Sequence, residues 1–145
     1  MATVRELLAR KGPRVQTVEE GETVLAAIQM MNEHRIGALV VTRDGRLAGM
    51  FTERDVLRRV IGHARPPAQI AVAEVMTADV CCCAPETTVD EASRIMKEER
   101  VRHLPVCDAY GNLLGLVSIG DVNAYYVSEH EQQILQLQEY VYSAY

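Results

Sequence analysis

The chain has 145 residues, of which 48% are hydrophobic and 24% charged, and its formal net charge is −5. This composition predicts a soluble globular protein, either one compact domain or two small halves that share a core. The acidic balance argues against general nucleic-acid binding, which needs clustered Lys and Arg. No signal-peptide pattern and no apolar run of about 18 residues is found, so we expect a cytoplasmic protein without a membrane partner.

The first half of the chain predicts five elements after a short helix around residues 4–9. Thr23 is a candidate N-cap, and Val24, Ala27 and Met31 place apolar side chains on one face of the helix behind it. In chain order the five are an extended segment Arg14–Val18, the helix after Thr23, a strand Ala38–Thr42, a strand Leu47–Phe51 and a helix opened by Thr52.

The second half repeats this pattern. Val15 aligns with Val80 at an offset of 65 residues, and one extra residue near Tyr110 makes the offset 66 thereafter. Its elements are an extended segment Val80–Cys83, a helix capped by Thr88, strands Leu104–Cys107 and Leu113–Val117, and a helix opened by Ser118. The chain therefore predicts an α/β (α+β) fold made of two β-α-β-β-α repeats.

The connection between the repeats is predicted at residues 62–70, where Pro66 and Pro67 exclude a regular helix. We divide the chain into residues 1–65, 66–127 and a C-terminal helix, 128–145. Ser128 and Glu131 form a capping box at the start of that helix. Its apolar stripe is formed by Val127, Ile134, Leu137 and Val141. The stripe either folds back on the chain or forms the seam of a homodimer.

Four cysteines are present, of which Cys81, Cys82 and Cys83 are consecutive. Neighbouring residues of a strand point to opposite faces, so these three make a poor chelate, and Cys107 completes no zinc spacing. We expect small apolar residues of a strand and no metal site. A redox or metal sensor that uses this cysteine cluster is the alternative.

The ordered motifs resemble the cystathionine-β-synthase (CBS) domain family. They are Gly37–Val41 and Gly49–Val56 in the first repeat, and Glu74–Thr77, Thr88–Ala92, Arg102–Val106 and Gly115–Val122 in the second. The resemblance implies two domains packed sheet to sheet with pseudo-twofold symmetry, leaving two clefts. Such clefts bind AMP, ADP, ATP, NAD or S-adenosylmethionine as a regulatory ligand, with no required cofactor. It also implies a homodimer and a stand-alone module that acts through an unidentified protein target.

The ribose and phosphate groups are assigned to the start of each repeat's last helix. Thr52 with Asp55, and Ser118 with Asp121, have the spacing of a helix cap, and their carboxylates are also suited to accept hydrogen bonds from ribose hydroxyls. The cationic residues expected near phosphate are Arg54, Arg58, Arg35, Arg100 and Arg102. An alternative is that these arginines form a solvated basic face.

The base is assigned to the strand starts. Gly37 and Ala38 leave room for a flat base, and Val15 to Thr17 and Cys81 to Cys83 are expected opposite them. The full set expected to contact the base is Val15, Thr17, Ile36, Gly37, Ala38, Cys82, His103, Leu104 and Pro105. No catalytic order of Ser, His and Asp, no paired carboxylates and no phosphate-binding Gly loop is recognised, so we expect no enzyme. The alternative function is a structural dimerisation module without a ligand.

Overall fold

The structure is a computed structural model that describes residues 1–12 and 15–143, with side chains described through residue 141. Arg14, which begins the first predicted extended segment, lies outside the described residues. A short helix, α1 (Val4–Lys11), precedes the first repeat.

The first repeat contains a three-stranded sheet flanked by helices. Its elements are β1 (Thr17–Glu19), α2 (Val24–His34), β2 (Ala38–Arg43), β3 (Arg46–Thr52) and α3 (Glu53–Asp55). β2 pairs in parallel with β1 and antiparallel with β3. The Thr23 hydroxyl accepts a hydrogen bond from the Ala26 N–H at 3.1 Å, which confirms the predicted cap.

The connection is built from short irregular turns. α3 continues as a π-helical turn, Val56–Val60, and a 3₁₀ turn, Ile61–His63. Pro67 is the first residue of another 3₁₀ turn, Pro67–Gln69, where its missing N–H is not required. A four-residue helix, α4 (Val72–Val75), then leads into the second repeat.

The second repeat has α5 (Val89–Glu99), β4 (His103–Cys107), β5 (Leu113–Ser118) and α6 (Ile119–Ser143). Its predicted first strand is reduced to a single parallel bridge between Cys83 and Val106. Proline explains the difference. In the first repeat the Val40 N–H donates to the Gln16 carbonyl at 3.3 Å, but the equivalent of Val40 is Pro105, which has no N–H to donate.

The two helices that precede the repeats are exchanged between them. The Val4 N–H of α1 donates to the Thr87 carbonyl of the second repeat at 2.8 Å, and the Val72 N–H of α4 donates to the Glu22 carbonyl of the first repeat at 2.8 Å. Val4 accordingly lies in the second core, whereas Val72 lies in the first. Each repeat is therefore completed by a helix that belongs in sequence to the other.

The two sheets pack face to face. Ala38, Val40 and Met50 of the first sheet are buried against Leu113 and Leu116 of the second. The confirmed fold is thus a mixed α+β pair of repeats around a shared layer, with clefts where the strands of one repeat meet those of the other.

The last helix differs from the prediction. Ser128 lies in the interior of α6, which runs without a break from Ile119 to Ser143, so the predicted cap at Ser128 is wrong. No glycine or proline follows Gly120, and nothing in the sequence stops the helix before Ser128. Residues 131–141 are all exposed in this chain.

Candidate functional site

The two hydroxyl–carboxylate motifs have the same local geometry. The Thr52 N–H donates to Asp55 Oδ2 at 2.9 Å, and the Ser118 N–H donates to Asp121 Oδ2 at 2.9 Å. In return the Asp55 N–H donates to Thr52 Oγ1 at 3.4 Å, and the Asp121 N–H donates to the Ser118 hydroxyl at 3.1 Å. Both motifs are therefore reciprocal helix caps, as predicted. Asp55 lines a cleft wall, whereas Ser118 is the residue of the second motif that lines one, with Asp121 held next to it by the cap.

The first motif lines a cleft of about 790 Å³, which we call the large cleft. Thr52, Asp55, Arg54 and Arg58 enter it from the first repeat. Its remaining wall is formed by Gly37, Met50, Glu53, Leu57, Thr77, Asp79, Val80, Cys81, Glu99, Arg100, Val101, Arg102 and His103. A cleft of this size matches the volume of typical small-molecule sites.

The large cleft combines four exposed arginines with three exposed carboxylates, Glu53, Asp79 and Glu99, and one buried carboxylate. The side chains of Arg54, Arg58, Arg100 and Arg102 are all exposed in its wall. Asp55 is buried, and its Oδ1 accepts a hydrogen bond from the Thr77 hydroxyl at 3.4 Å. Since each carboxylate oxygen has two acceptor sites, a neutral hydroxyl leaves capacity for a ligand hydroxyl.

Arg59 does not take part in the large cleft. Its guanidinium donates to the carbonyls of Val75 at 3.2 Å and Met76 at 2.9 Å, and its Nε lies 3.7 Å from Asp55 Oδ1. The arginine therefore connects the end of α4 to the first repeat and lies beside Asp55 Oδ1.

The second motif lines a cleft of about 280 Å³, the small cleft. Ser118 shares this cleft with side chains that the sequence analysis predicted to contact the base. Lys11 of α1 lies in the same wall. The wall is formed by Lys11, Val15, Gln16, Ile36, Gly37, Ala38, His103, Leu116 and Ser118. The base-contact residues of the first repeat thus lie beside the motif of the second repeat.

Lys11 pairs with the carboxylate of the second motif. Its Nζ lies 2.8 Å from Asp121 Oδ2. Burial alone would raise the pKa of Asp121, but the hydrogen bonds from the Lys11 ammonium and the Ser118 N–H outweigh it and hold the pKa below its ordinary value. Asp121 is therefore an ionised carboxylate that already has a cationic partner.

His103 lies in the wall of both clefts, as does Gly37. Burial lowers the pKa of His103, and the charges of Lys11 and Arg102 lower it further, against the opposing effect of Asp121. The imidazole is accordingly neutral at pH 7 and sits between two candidate binding sites.

Not every predicted residue reaches these clefts. Leu104 is fully buried in the second core, and Pro105 is buried in the sheet. Thr17, Cys82, Arg35 and Asp121 are described but line neither cleft, although Asp121 is paired with Lys11 and Ser118, which do line the small cleft. The alternation of side chains along β4 explains Leu104, because its neighbour His103 faces the clefts. Arg35 instead ends α2 in the left-handed conformation, with φ of 54°.

Several wall residues were not predicted. Thr77 belongs to the Glu74–Thr77 motif, and the position of that motif in the repeat could have indicated that Thr77 lies in the cleft wall. Lys11 has no such signal, because it reaches the small cleft only through the exchange of α1 onto the second repeat.

The cysteines are free thiols, and the described residues contain no cluster of three potential metal ligands. Burial raises the pKa of Cys83 to about 12 and that of Cys107 to about 11. Both are therefore protonated and poorly reactive at neutral pH, which favours a packing role for these two thiols, whereas Cys82 is exposed.

Residues 4–62 and 72–128 each match the family model of the CBS domain. The chain belongs to the CBS domain family. The repeat observed in the sequence is thus a tandem CBS pair, and the two clefts lie between CBS domains.

Related CBS proteins agree with this assignment. The chain is 39% identical to the mitochondrial CBS domain-containing protein CBSX3 of Arabidopsis thaliana over 86% of the chain, which corresponds to 62% of that protein's length. It is 33% identical to the CBS domain-containing protein YhcV of Bacillus subtilis over 84% of each sequence. The structure of a putative signal-transduction protein with CBS domains from Burkholderia ambifaria superimposes with a TM-score of 0.81 at 39% identity, covering 88% of this chain and 95% of that one.

Among the described helices, none has both the length and the apolar character that a membrane span requires.

Proposed function

We propose that this tandem CBS pair is a regulatory module that binds an adenine-containing nucleotide and passes the signal to a protein partner by a conformational change. The candidate ligands are AMP, ADP, ATP, NAD and S-adenosylmethionine. The observation that carries the proposal is the large cleft, where a buried carboxylate at the Thr52–Asp55 cap lies among four exposed arginines.

Each part of the large cleft suits one part of a nucleotide. Asp55 keeps an acceptor position on Oδ1 for a ribose hydroxyl. Arg54 and Arg58 lie one turn apart on the helical segment behind Thr52, and their planar guanidinium groups suit phosphate oxygens. Met50, Val80 and Val101 supply apolar contacts for the base.

The proposal is regulatory rather than catalytic. The hydroxyls of Thr52 and Thr77 that contact Asp55 are assigned to holding the carboxylate in its helix cap and not to a chemical step. A similar protein is described as a putative signal-transduction protein. The four free thiols suit the reducing cytoplasm, which we include in the proposal.

Thermal unfolding with each of the five nucleotides tests the proposal. A ligand at about 100 times its Kd adds about 2.7 kcal/mol to the free energy of unfolding. We expect at least one nucleotide to raise the Tm. Failure of all five at millimolar concentration would contradict the proposal.

A matched pair of variants locates the site. Asp55→Asn keeps the shape of the cap but weakens the acceptor for ribose, whereas alanine would also remove the contacts with Thr52 and Thr77. We expect Asp55→Asn to weaken nucleotide binding and Asp121→Asn to leave it nearly unchanged. A larger loss in Asp121→Asn would assign the ligand to the small cleft.

The second candidate function, a structural dimerisation module, is favoured by α6. Val127, Ile134, Leu137 and Val141 are each more than half exposed and repeat with heptad spacing. We propose that this stripe joins two copies of the chain into a homodimer, and this role is compatible with nucleotide binding.

A further inference from the structure

The small cleft already contains a cation from the same chain. Lys11 Nζ lies 2.8 Å from Asp121 Oδ2 and donates a hydrogen bond to the Leu116 carbonyl at 2.9 Å. The same Oδ2 accepts the Ser118 N–H at 2.9 Å. The carboxylate that would bind a ribose is therefore engaged by an ammonium group on one side and by its own helix cap on the other.

The fold fixes Lys11 in this place. The Val4 N–H anchors the start of α1 on the second repeat through Thr87. Leu8 covers Gly115, where an added Cβ would lie 2.7 Å from a Leu8 methyl group. Gly12, with φ of 94°, ends the helix directly after Lys11. The lysine thus projects from an anchored helix end and not from a free tail.

Among the described residues, no lysine or arginine is hydrogen-bonded to the carboxylate of the large cleft: the nearest cation is Arg59, whose Nε lies 3.7 Å from Asp55 Oδ1 and which is not part of the cleft wall. An offset of 68 residues relates the anchor Val4 to Val72, and the same offset relates Lys11 to Asp79. In the large cleft this segment supplies Asp79 and the neutral hydroxyl of Thr77. The exchanged segments therefore supply different residues to the two clefts: Lys11 to the small cleft, and Thr77 and Asp79 to the large cleft.

We infer that Lys11 closes the small cleft to nucleotides by occupying Asp121, so that the chain binds one nucleotide, in the large cleft. This inference rests on the proposed nucleotide binding and adds its stoichiometry and the residue that sets it. A nucleotide entering the small cleft has to break the contacts of Lys11 with Asp121 and Leu116. Charge-assisted hydrogen bonds of this kind reduce a competing affinity by roughly ten- to hundredfold.

Calorimetric titration with AMP tests the inference. We expect one AMP per chain for the natural protein and two for Lys11→Met, because methionine keeps much of the apolar stem but removes the ammonium group. Lys11→Arg retains a cation and should bind one AMP. Lys97→Met is the matched control, since Lys97 is exposed on α5 away from both clefts, and it should also bind one AMP.

The outcomes separate this inference from the proposed function. One AMP on both the natural protein and Lys11→Met overturns the role of Lys11 and leaves the proposed function intact. Two AMP molecules on the natural protein also overturn it. Binding only to Lys11→Met supports the role of Lys11 and contradicts a nucleotide site in the large cleft. No binding to either protein contradicts both.

A measurement without nucleotide checks that the variant is folded and altered as intended. Because the charge of Lys11 lowers the pKa of His103, Lys11→Met should raise that pKa when it is followed by NMR.

The double variant Lys11→Met/Asp121→Asn should return to one AMP. Retention of two sites in the double variant would overturn the inference.

Discussion

A Cβ atom added to Gly49 would lie 2.5 Å from the carbonyl oxygen of Thr77. At this point β3 approaches the segment behind α4, and the backbones of Met50 and Thr77 exchange two hydrogen bonds of 2.9 Å. The contact joins the two repeats beside the large cleft. Glycine is required here because the opposing atom belongs to the backbone and cannot rotate away.

We therefore expect Gly49→Ala to lower the free energy of unfolding by about 1–3 kcal/mol, the range found for overpacked sites. Gly21→Ala is the control, since an added Cβ there meets nothing within 4 Å and its φ is not positive. Urea unfolding monitored by circular dichroism compares the two variants. Equal stability of Gly49→Ala and Gly21→Ala would show that the two segments separate without cost.

Much of this fold was predictable because its signals are local and occur twice. The caps at Thr23 and Thr88 and the apolar faces behind them are confirmed, with Ala27 and Ala92 fully buried. The hydroxyl–carboxylate caps were also predictable, since their spacing is set within one helical turn.

The rest depends on contacts between distant parts of the chain. The exchange of α1 and α4 has no signature in their short sequences, so the place of Lys11 beside Asp121 was not predicted. Pro105 was visible in the sequence, but its effect on the predicted first strand of the second repeat follows only from the register of the parallel bridge between Cys83 and Val106. The cap predicted at Ser128 failed because a local cap motif does not start a new helix inside an uninterrupted one.

His103 makes the stability of the protein depend on pH. Its pKa in the folded protein is below the ordinary value of about 6.5, so the unfolded chain takes up a proton first as the pH falls. At pH values above the ordinary pKa, His103 does not reduce the free energy of unfolding. As the pH falls from about 6.5 through the lower folded pKa, protonation of the unfolded chain reduces the free energy of unfolding. We expect His103→Gln to flatten the fall in Tm between pH 7 and pH 5.

His34→Gln is the control for this measurement, because His34 is exposed at the end of α2. It should leave the pH profile of the Tm unchanged. An unchanged profile in His103→Gln would mean that another group carries the pH dependence.

The exposed stripe of α6 is expected to hold the homodimer. Ile134→Gln combined with Leu137→Gln places polar groups in the proposed seam and should shift the mass in light scattering from two chains towards one at micromolar concentration. Leu135→Gln is the matched control. Leu135 is 58% exposed, similar to the 55% of Ile134, but lies beside the stripe. A dimer that survives the double variant would place the interface elsewhere on the molecule.

The arginines of the large cleft are expected to discriminate between ligands by phosphate content. Arg58 is exposed in the cleft wall, one turn behind Arg54, and removal of its charge should weaken ATP binding while sparing adenosine, which has no phosphate. For one partly screened charge-assisted contact, we expect Arg58→Gln to raise the Kd for ATP roughly tenfold. Calorimetry at two salt concentrations measures the effect, and the loss should shrink as the ionic strength rises.

Arg94→Gln provides the comparison for Arg58→Gln. Arg94 is an exposed arginine on α5 whose Nε lies 3.9 Å from Glu98, and it lines neither cleft. Its replacement changes the net charge by the same amount, so any general effect of charge on ATP binding appears in both variants. If the two variants lose ATP affinity equally, Arg58 acts only through the overall charge of the protein. If Arg58→Gln weakens adenosine as much as ATP, the arginine supports the wall of the cleft and does not contact phosphate.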